Sequence, residues 1–280
     1  MNEYNLTYAQ LAAYKEHLMK EEYAPGTVEK YLRDAGAFLR WLGDKPATRE
    51  AAVAWKERLI ATGHAPVTVN SMIAALNGLF SFLGWGHRLK FLKLQRRVFR
   101  DQAKELSRAE YKVLVDTAQD RGNTRLALLM ETICSTGIRV SEVPYITVDA
   151  VEQGRAEIAL KGKIRVILLP GKLCRKLLKY ARKNKIASGE IFVTRSGKSL
   201  SRKQIWAEMK RLCSLTGVCP EKVFPHNLRH LFARAFYTAY KDIVRLADVL
   251  GHSSMETTRI YLLTTGAEHM KQMERLGLVL

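Results

Sequence analysis

Apolar residues recur every three or four positions through most of residues 7–84, the spacing of the buried face of an α-helix. One such stripe contains Val28, Tyr31, Leu32, Ala35, Phe38, Leu39 and Leu42, and a second contains Ile73, Leu76, Leu79, Phe80 and Leu83. The segment Ala24-Pro25-Gly26-Thr27-Val28 recurs 41 residues later as Ala65-Pro66-Val67-Thr68-Val69. Because proline suits the first turn of a helix, the pattern predicts two helical hairpins whose stripes form a core.

The pattern of the second half adds a small β element to the helices. Ser107 and Glu110 have the spacing of a capping box, which begins a helix. Two β-prone runs then predict a hairpin with lysines at its tip, and a third predicts a short strand: Ala156–Leu160, Arg165–Leu169 and Ile191–Val193. Helices are predicted at Thr124–Ser135, Lys172–Ile186, Arg202–Thr216, from Pro225, and at Ala267–Leu276. The predicted fold class is mainly α with a small β-sheet.

The charge of the chain changes the interpretation of its middle. There are 46 Lys and Arg against 27 Asp and Glu, a net charge of +19, which indicates a polyanionic partner such as DNA. Several basic residues fall between the two patterned halves and are candidate DNA-binding residues or else a solvated face: Arg88, Lys90, Lys93, Arg96, Arg97 and Arg100. We predict a helical domain over 1–84, a basic linker over 85–104 and a second domain over 105–280.

Other classes of protein fit the sequence less well. No apolar run approaches the roughly 18 residues of a transmembrane helix, and the N-terminus lacks the pattern of a signal peptide. We therefore expect a cytoplasmic protein with no membrane partner. The four cysteines lack metal-ligand spacing, so we expect them to be reduced and structural and expect no metal: Cys134, Cys174, Cys213 and Cys219.

Five short motifs of the second half occur in a recognisable order. They are Thr136-Gly137-Ile138-Arg139-Val140-Ser141-Glu142, Leu160-Lys161-Gly162-Lys163, His226-Asn227-Leu228-Arg229-His230, Leu250-Gly251-His252-Ser253-Ser254 and Tyr261. Each motif alone is weak, but the ordered set, with Tyr261 nine positions after His252, resembles the tyrosine recombinases, the phage-integrase and Xer-like group of site-specific DNA recombinases. The resemblance implies a helical core-binding domain and an α+β catalytic domain with a C-terminal exchange helix, which together clamp duplex DNA.

The resemblance also implies which residues act on the DNA. Tyr261 would attack the scissile phosphate to give a 3′-phosphotyrosine and a free 5′-hydroxyl, a covalent step that requires no cofactor. Arg139 and Arg229 would hold the phosphate oxygens, because guanidinium groups are permanently charged and bidentate. Lys161 would protonate the departing 5′-oxygen. The turn is shorter than the common family version, so Lys163 is an alternative acid.

Four further residues receive supporting or proton-transfer roles from the same resemblance. His226 would assist as general base for the tyrosine, and His252 would hydrogen-bond the phosphate. Glu142 would orient the site, and His230 would brace the fold. Tyr145, Tyr237 and Tyr240 of the same domain are rival nucleophiles that lack the spacing of Tyr261, and Tyr237 and Tyr240 lie in an apolar helical pattern and are predicted to be core residues.

The partners implied by the resemblance are double-stranded DNA with specific recombination sites and further copies of the chain. A tetramer on DNA would assemble through residues 266–280, although an apolar tail could instead fold back on its own domain. An accessory DNA-bending or directionality protein is a further candidate partner. The favoured role is integration and excision of a mobile element. The alternatives are Xer-like resolution of chromosome or plasmid dimers, a type IB topoisomerase, and a non-catalytic DNA-binding protein.

Overall fold

The chain folds into two compact units, Met1–Arg96 and Arg97–Leu280. The computed structural model describes residues 4–94, 102–160, 163–252, 254–261, 270–271 and 273–278. The predicted fold class is confirmed, because almost all regular structure in both units is helical and a single two-stranded sheet lies in the second unit among the described residues. None of the described helices has both the length and the apolar character needed to cross a lipid bilayer.

The first unit consists of four helices around one core. They are α1 (Tyr8–Lys20), α2 (Pro25–Leu42), α3 (Arg49–Ala61) and α4 (Pro66–Phe82). The repeated Ala-Pro pair begins α2 and α4, where proline costs no backbone hydrogen bond. Phe38 of α2 and Phe80 of α4 are fully buried and meet edge to face, so the two repeats share one core. The predicted role of the apolar stripes is confirmed.

The helices of the second unit begin and end largely where local signals in the sequence place them. They are α5 (Arg108–Asp120), α6 (Thr124–Thr136), α7 (Val148–Glu152), α8 (Gly171–Lys183), α9 (Arg202–Thr216), α10 (Pro225–Tyr240), α11 (Ile243–Leu250) and α12 (Met255–Arg259). Ser107 and Glu110 form the predicted capping box at the start of α5. Gly137 ends α6 in the left-handed conformation, at a φ of 67°.

The predicted hairpin is confirmed, with strands β1 (Arg155–Leu160) and β2 (Lys163–Leu168) paired antiparallel. The closest backbone pair to the turn is Leu160 with Lys163. Alternate residues point to opposite faces of a strand, so Ile158 and Ile167 enter the core of the unit while Ile164 and Leu168 are exposed.

Two predictions for the second unit are wrong. Ile191–Val193 is not a strand, because only single bridges form, between Thr147 and Glu190 and between Val193 and Ser199. Ile191 and Phe192 are nevertheless buried, so their apolar character reflects packing rather than a sheet. Tyr240 is not a core residue: it ends α10 with 62% of its surface exposed, and Tyr237 is half-buried. Of the helix predicted at Ala267–Leu276, residues 270, 271, 273 and 274 are helical and 275 and 276 form a turn, while 267–269 and 272 lie outside the described residues.

Candidate active site

The site is built around Arg229, the largest fully buried side chain of the second unit. Its guanidinium donates to the carbonyl oxygens of Gly137 and of Leu250, the latter at 2.8 Å. These carbonyls belong to the C-terminal ends of α6 and α11, where helices leave carbonyl groups without intrahelical partners. Two helix ends therefore fix the Arg229 side chain in the interior.

Arg139 begins a short 3-10 helix, Val140–Tyr145, directly after α6. The buried carboxylate of Glu142 accepts a hydrogen bond from the Arg139 backbone N–H at 2.7 Å and another from the Arg139 guanidinium at 3.0 Å. The Arg139 side chain also points a nitrogen at the Gly251 carbonyl oxygen, 3.5 Å away, and stays 41% exposed. Glu142 therefore fixes the orientation of Arg139, whose side chain remains accessible to solvent.

Glu142 also forms an ion pair with a second arginine, Arg165 of β2. The Arg165 guanidinium donates at 2.7 Å to the Glu142 oxygen that also accepts the Arg139 backbone N–H, and it donates to the Leu250 carbonyl oxygen. Gly251 makes this approach feasible: it has a φ of +62°, and a Cβ there would clash with the Arg165 side chain. One carboxylate thus joins the strand, the 3-10 helix and, through Arg165, the end of α11.

Tyr261 lies beside these arginines, in the same chain. The residue is 4% exposed and packs in a small apolar cluster with Ala233, Leu246 and Leu250. Its ring meets that of His230 edge to face, with centroids 4.5 Å apart, and lies nearly parallel to that of His252, with centroids 5.9 Å apart. The Tyr261 side chain also lies close enough to the Arg229 guanidinium to raise the pKa of that group.

His252 has a defined hydrogen-bonding state. Its Nε2 lies 2.9 Å from the Arg229 guanidinium, and its Nδ1 lies 2.9 Å from the Thr258 hydroxyl. A guanidinium can only donate, so Nε2 is the acceptor and Nδ1 carries the proton. His252 is therefore neutral here, and Thr258, which is fully buried, fixes the orientation of its ring.

The electrostatic environment keeps all three histidines neutral at pH 7. Burial, followed by the charges of Arg229 and Arg139, lowers the pKa of His252 to about 4. Burial also lowers the pKa of His230 to about 3, with His226 as the next cause. Desolvation by its neighbours, then Arg229 and Arg139, lowers the pKa of His226. Burial and clustered cations both disfavour the charged form of an imidazole, so the two effects add.

The arginines of the site also affect one another. Burial and the charge of Arg139 lower the pKa of Arg229 to about 10, against the opposing effect of the nearby Tyr261 side chain. Burial also lowers the pKa of Arg165, against the opposing charge of Glu142. These three guanidiniums and the Glu142 carboxylate together carry a surplus of two positive charges. Such a cluster is suited to a phosphate diester, whose charge would offset part of that surplus.

The structure brings together most of the residues predicted from the sequence: Arg139, Glu142, His226, Arg229, His230, His252 and Tyr261. The ring of His226 meets that of His230 edge to face, with centroids 4.5 Å apart, and His226 is otherwise exposed on α10. Lys161 lies outside the described residues, as do Arg96, Arg97 and Arg100. Arg88, Lys90 and Lys93 are exposed residues of the first unit.

Sequence reasoning missed Arg165 and Thr258. Arg165 could have been found from alternation along β2, because it shares the inward face with Ile167 and is an arginine where an apolar residue is expected. Thr258 lies three residues before Tyr261, one helical turn away, but no local signal marks it as the partner of His252.

The chain matches known proteins over its whole length. Residues 104–267 match the phage integrase family, and residues 11–87 match the phage integrase N-terminal SAM-like domain. Tyrosine recombinase XerA from Pyrococcus furiosus is 29% identical over 100% of this chain and 98% of its own. XerA from Thermococcus kodakarensis is 30% identical over 93% of this chain and 92% of its own.

Solved structures agree on the fold. A crystal structure of a lambda integrase dimer bound to a COC′ core site has a TM-score of 0.72 at 19% identity, covering 91% of this chain and 76% of that one. The chain therefore belongs to the phage integrase family of tyrosine recombinases. It is an enzyme of site-specific DNA recombination, which breaks and rejoins DNA strands by transesterification.

Proposed function

We propose that Tyr261 is the nucleophile of this recombinase. The observation that carries the proposal is the position of its side chain, beside buried Arg229 and next to the rings of His230 and His252. A phenol held beside a fixed guanidinium can meet a phosphate that binds to the same cation. All of these groups come from one chain, so each protomer would cut with its own tyrosine.

The proposed reaction has two balanced steps. The Tyr261 oxygen forms a bond to phosphorus, the bond from phosphorus to the 5′-oxygen breaks, and the 5′-oxygen leaves with a proton as a hydroxyl. The 3′ end then remains attached to Tyr261 as a phosphodiester. A 5′-hydroxyl from another strand reverses these events, which restores the phenol and joins new partners. Because a diester is present throughout, no nucleotide cofactor is consumed.

Arg139 and Arg229 would stabilise the transition state. Negative charge spreads over the non-bridging oxygens in such transfers, and preorganised cations in a partly desolvated site stabilise it without reorganisation. Arg229 is fixed by two helix ends, and Arg139 is fixed by Glu142 while remaining accessible. This difference supports a role for Arg229 at the buried base of the site and for Arg139 at its accessible edge. Arg165 would maintain the geometry of Glu142.

The proton transfers are assigned to the lysine and the histidines. Lys161, or else Lys163, would supply the proton to the 5′-oxygen, as the family resemblance implies. His226 would accept the phenolic proton, for which its neutral state is the required one. His252 accepts from Arg229 in the free enzyme, so it would act on the phosphate only after gaining a proton or exchanging partners. His230 would hold the Tyr261 ring.

For the biological role we propose integration and excision of a mobile element, with four chains assembled on two DNA duplexes through residues 266–280. The basic residues after α4, with Arg96, Arg97 and Arg100, would bind the DNA backbone, and an accessory DNA-bending protein would set direction. The domain limits proposed for this are 1–84, 85–104 and 105–280. A cytoplasmic location fits a substrate that is cellular DNA.

Xer-like resolution of chromosome or plasmid dimers is the second candidate. The observation that favours it is the match to two XerA proteins along nearly their whole length. The two roles require different DNA sites. A resolvase would recombine two copies of one site, whereas an element integrase would join two dissimilar sites. Recombination of a plasmid carrying candidate site pairs from the genome distinguishes them by the pair that reacts.

The nucleophile is tested with a duplex that carries a nick just 3′ of the candidate cleavage position. The short fragment released by cleavage diffuses away, so the covalent complex accumulates. We expect wild type to form a protease-sensitive adduct on a denaturing gel and Tyr261→Phe to form none. Tyr237→Phe, a half-buried tyrosine of α10, is the matched control and should react as wild type does.

Each other result has a defined meaning. An adduct that persists in Tyr261→Phe assigns the nucleophile to another tyrosine. Tight binding without an adduct from wild type favours a non-catalytic DNA-binding protein. Relaxation of supercoiled DNA by a monomer, without exchange of partners, favours a type IB topoisomerase.

A further inference from the structure

Two asparagines of α4, Asn70 and Asn77, bind the backbone that follows the helix. The Asn77 side-chain amide accepts from the Leu89 N–H at 2.8 Å and donates to the Leu89 carbonyl at 3.0 Å. Asn70 makes the same pair of bonds to Leu92, at 2.7 and 3.0 Å. Each amide therefore replaces the backbone of a neighbouring strand, so four hydrogen bonds hold residues 89–92.

The spacing of the two contacts requires an extended segment. Asn70 and Asn77 are seven residues apart on one face of α4, about 10.5 Å along the helix axis. Leu89 and Leu92 are three residues apart, about 10 Å in an extended chain. The later asparagine binds the earlier leucine, so the segment runs back antiparallel to the helix. Lys56 of α3 adds a bond to the Lys90 carbonyl oxygen, at 2.8 Å.

This arrangement sorts the side chains of the segment. Leu89 is buried in the core of the first unit and Leu92 packs against that core. Arg88, Lys90 and Lys93 are exposed. The start of the basic stretch is thus an ordered row of cations, with its backbone fixed at both ends by amides that carry no charge.

We infer that Asn70 and Asn77 are positioning residues for DNA binding, which hold this row of cations in a fixed extended form against the phosphate backbone. The inference deepens the proposed function and rests on it. A free chain must lose backbone entropy when it settles on DNA, whereas this segment has lost it already on folding. The asparagines would therefore affect DNA affinity without touching the DNA.

The test measures binding of the full chain to a labelled 30-base-pair duplex across a range of salt concentrations. We expect Asn70→Ala/Asn77→Ala to bind roughly tenfold more weakly at low salt. Its slope of log affinity against log salt should fall by about 0.9 for each DNA phosphate that the variant no longer neutralises. Asn184→Ala removes an exposed, local side-chain-to-backbone hydrogen bond at the end of α8 and should leave both quantities unchanged.

A second pair of variants separates positioning from general weakening. Lys90→Ala/Lys93→Ala should lower the salt slope directly. When the asparagine substitutions are added, we expect a smaller further change in slope than in wild type, because two of the three cations they position are already gone. Independent, additive losses would overturn the inference.

Trypsin provides a readout that does not involve DNA. Wild type should resist cleavage after Arg88 and Lys90, and the asparagine variant should be cut there. A freed segment with unchanged DNA affinity and slope would overturn the inference while leaving the proposed function standing. A flat salt response of wild type itself would instead count against the proposed binding of the DNA backbone. If the double variant does not fold, the single variants Asn70→Ala and Asn77→Ala each release one pair of bonds and should give smaller losses.

Discussion

Replacing Glu142 by glutamine should destabilise the second unit, because one buried carboxylate holds two arginines. The carboxylate accepts three hydrogen bonds, from the Arg139 backbone, the Arg139 guanidinium and the Arg165 guanidinium, at 2.7, 3.0 and 2.7 Å. A glutamine has one carbonyl oxygen. If it takes the position with two donors, its NH2 group faces the Arg139 guanidinium, which is also a donor.

The expected magnitude follows from how buried each partner is. Removing one partner of a buried ion pair costs about 3–5 kcal/mol. The Arg165 side chain is 14% exposed, so that pair counts as buried. The Arg139 side chain is 41% exposed, and an exposed pair contributes only about 0–1 kcal/mol. We expect a loss near 3 kcal/mol, which for a unit of this size lowers Tm by roughly 6–12 °C.

Calorimetry of the full chain measures this shift, with Asp116→Asn as control. Asp116 pairs with Lys112 on the surface of α5, where both side chains are well exposed, so its replacement should change Tm by no more than about 2 °C. In the double variant Glu142→Gln/Arg165→Met, one of the two arginines that lose the carboxylate is itself absent. Its loss of stability should be smaller than the sum of the single losses by about 1 kcal/mol or more. A fall in Tm below about 2 °C for Glu142→Gln, or strict additivity, would refute the argument.

Two further predictions concern stability. Since burial lowers the pKa of His230 from 6.5 to about 3, the unfolded chain binds a proton between these values that the folded chain does not. The free energy of unfolding should therefore fall as pH drops below about 6.5, by up to about 1.4 kcal/mol per pH unit from this residue. Chemical denaturation at a series of pH values should show a weaker pH dependence for His230→Phe than for wild type. The same pH dependence in both proteins would contradict this. Gly137→Ala forces a left-handed alanine and places its Cβ 2.5 Å from Phe232. Gly217 has the same left-handed conformation but open space around it, so Gly217→Ala should cost only about 1–2 kcal/mol of folding stability. Gly137→Ala should cost about 1–3 kcal/mol more, because its Cβ also clashes. Equal losses of stability in the two variants would refute the packing argument.

The sequence determined the secondary structure where short-range interactions decide it. The capping box at Ser107, the left-handed Gly137 and the boundaries of α9, Arg202–Thr216, are all local features. Each depends on hydrogen bonds or backbone conformations within about four residues, so the residue types alone specify them. The family resemblance likewise rests on short motifs in a fixed order, and the match over residues 104–267 confirms it.

Tertiary structure decided the contacts between residues that are distant in the sequence. Arg165 donates to Leu250, 85 positions later, and Arg229 donates to Gly137, 92 positions earlier. The same reason explains the errors: Tyr240 falls on the open side of α10, and Ile191 finds a core but no neighbouring strand. Hydrophobic periodicity predicts that a residue will be buried, but it does not specify which distant residue it will contact. The partners of the site's arginines, and hence the surplus charge available to a phosphate, exist only once the ends of α6 and α11 meet.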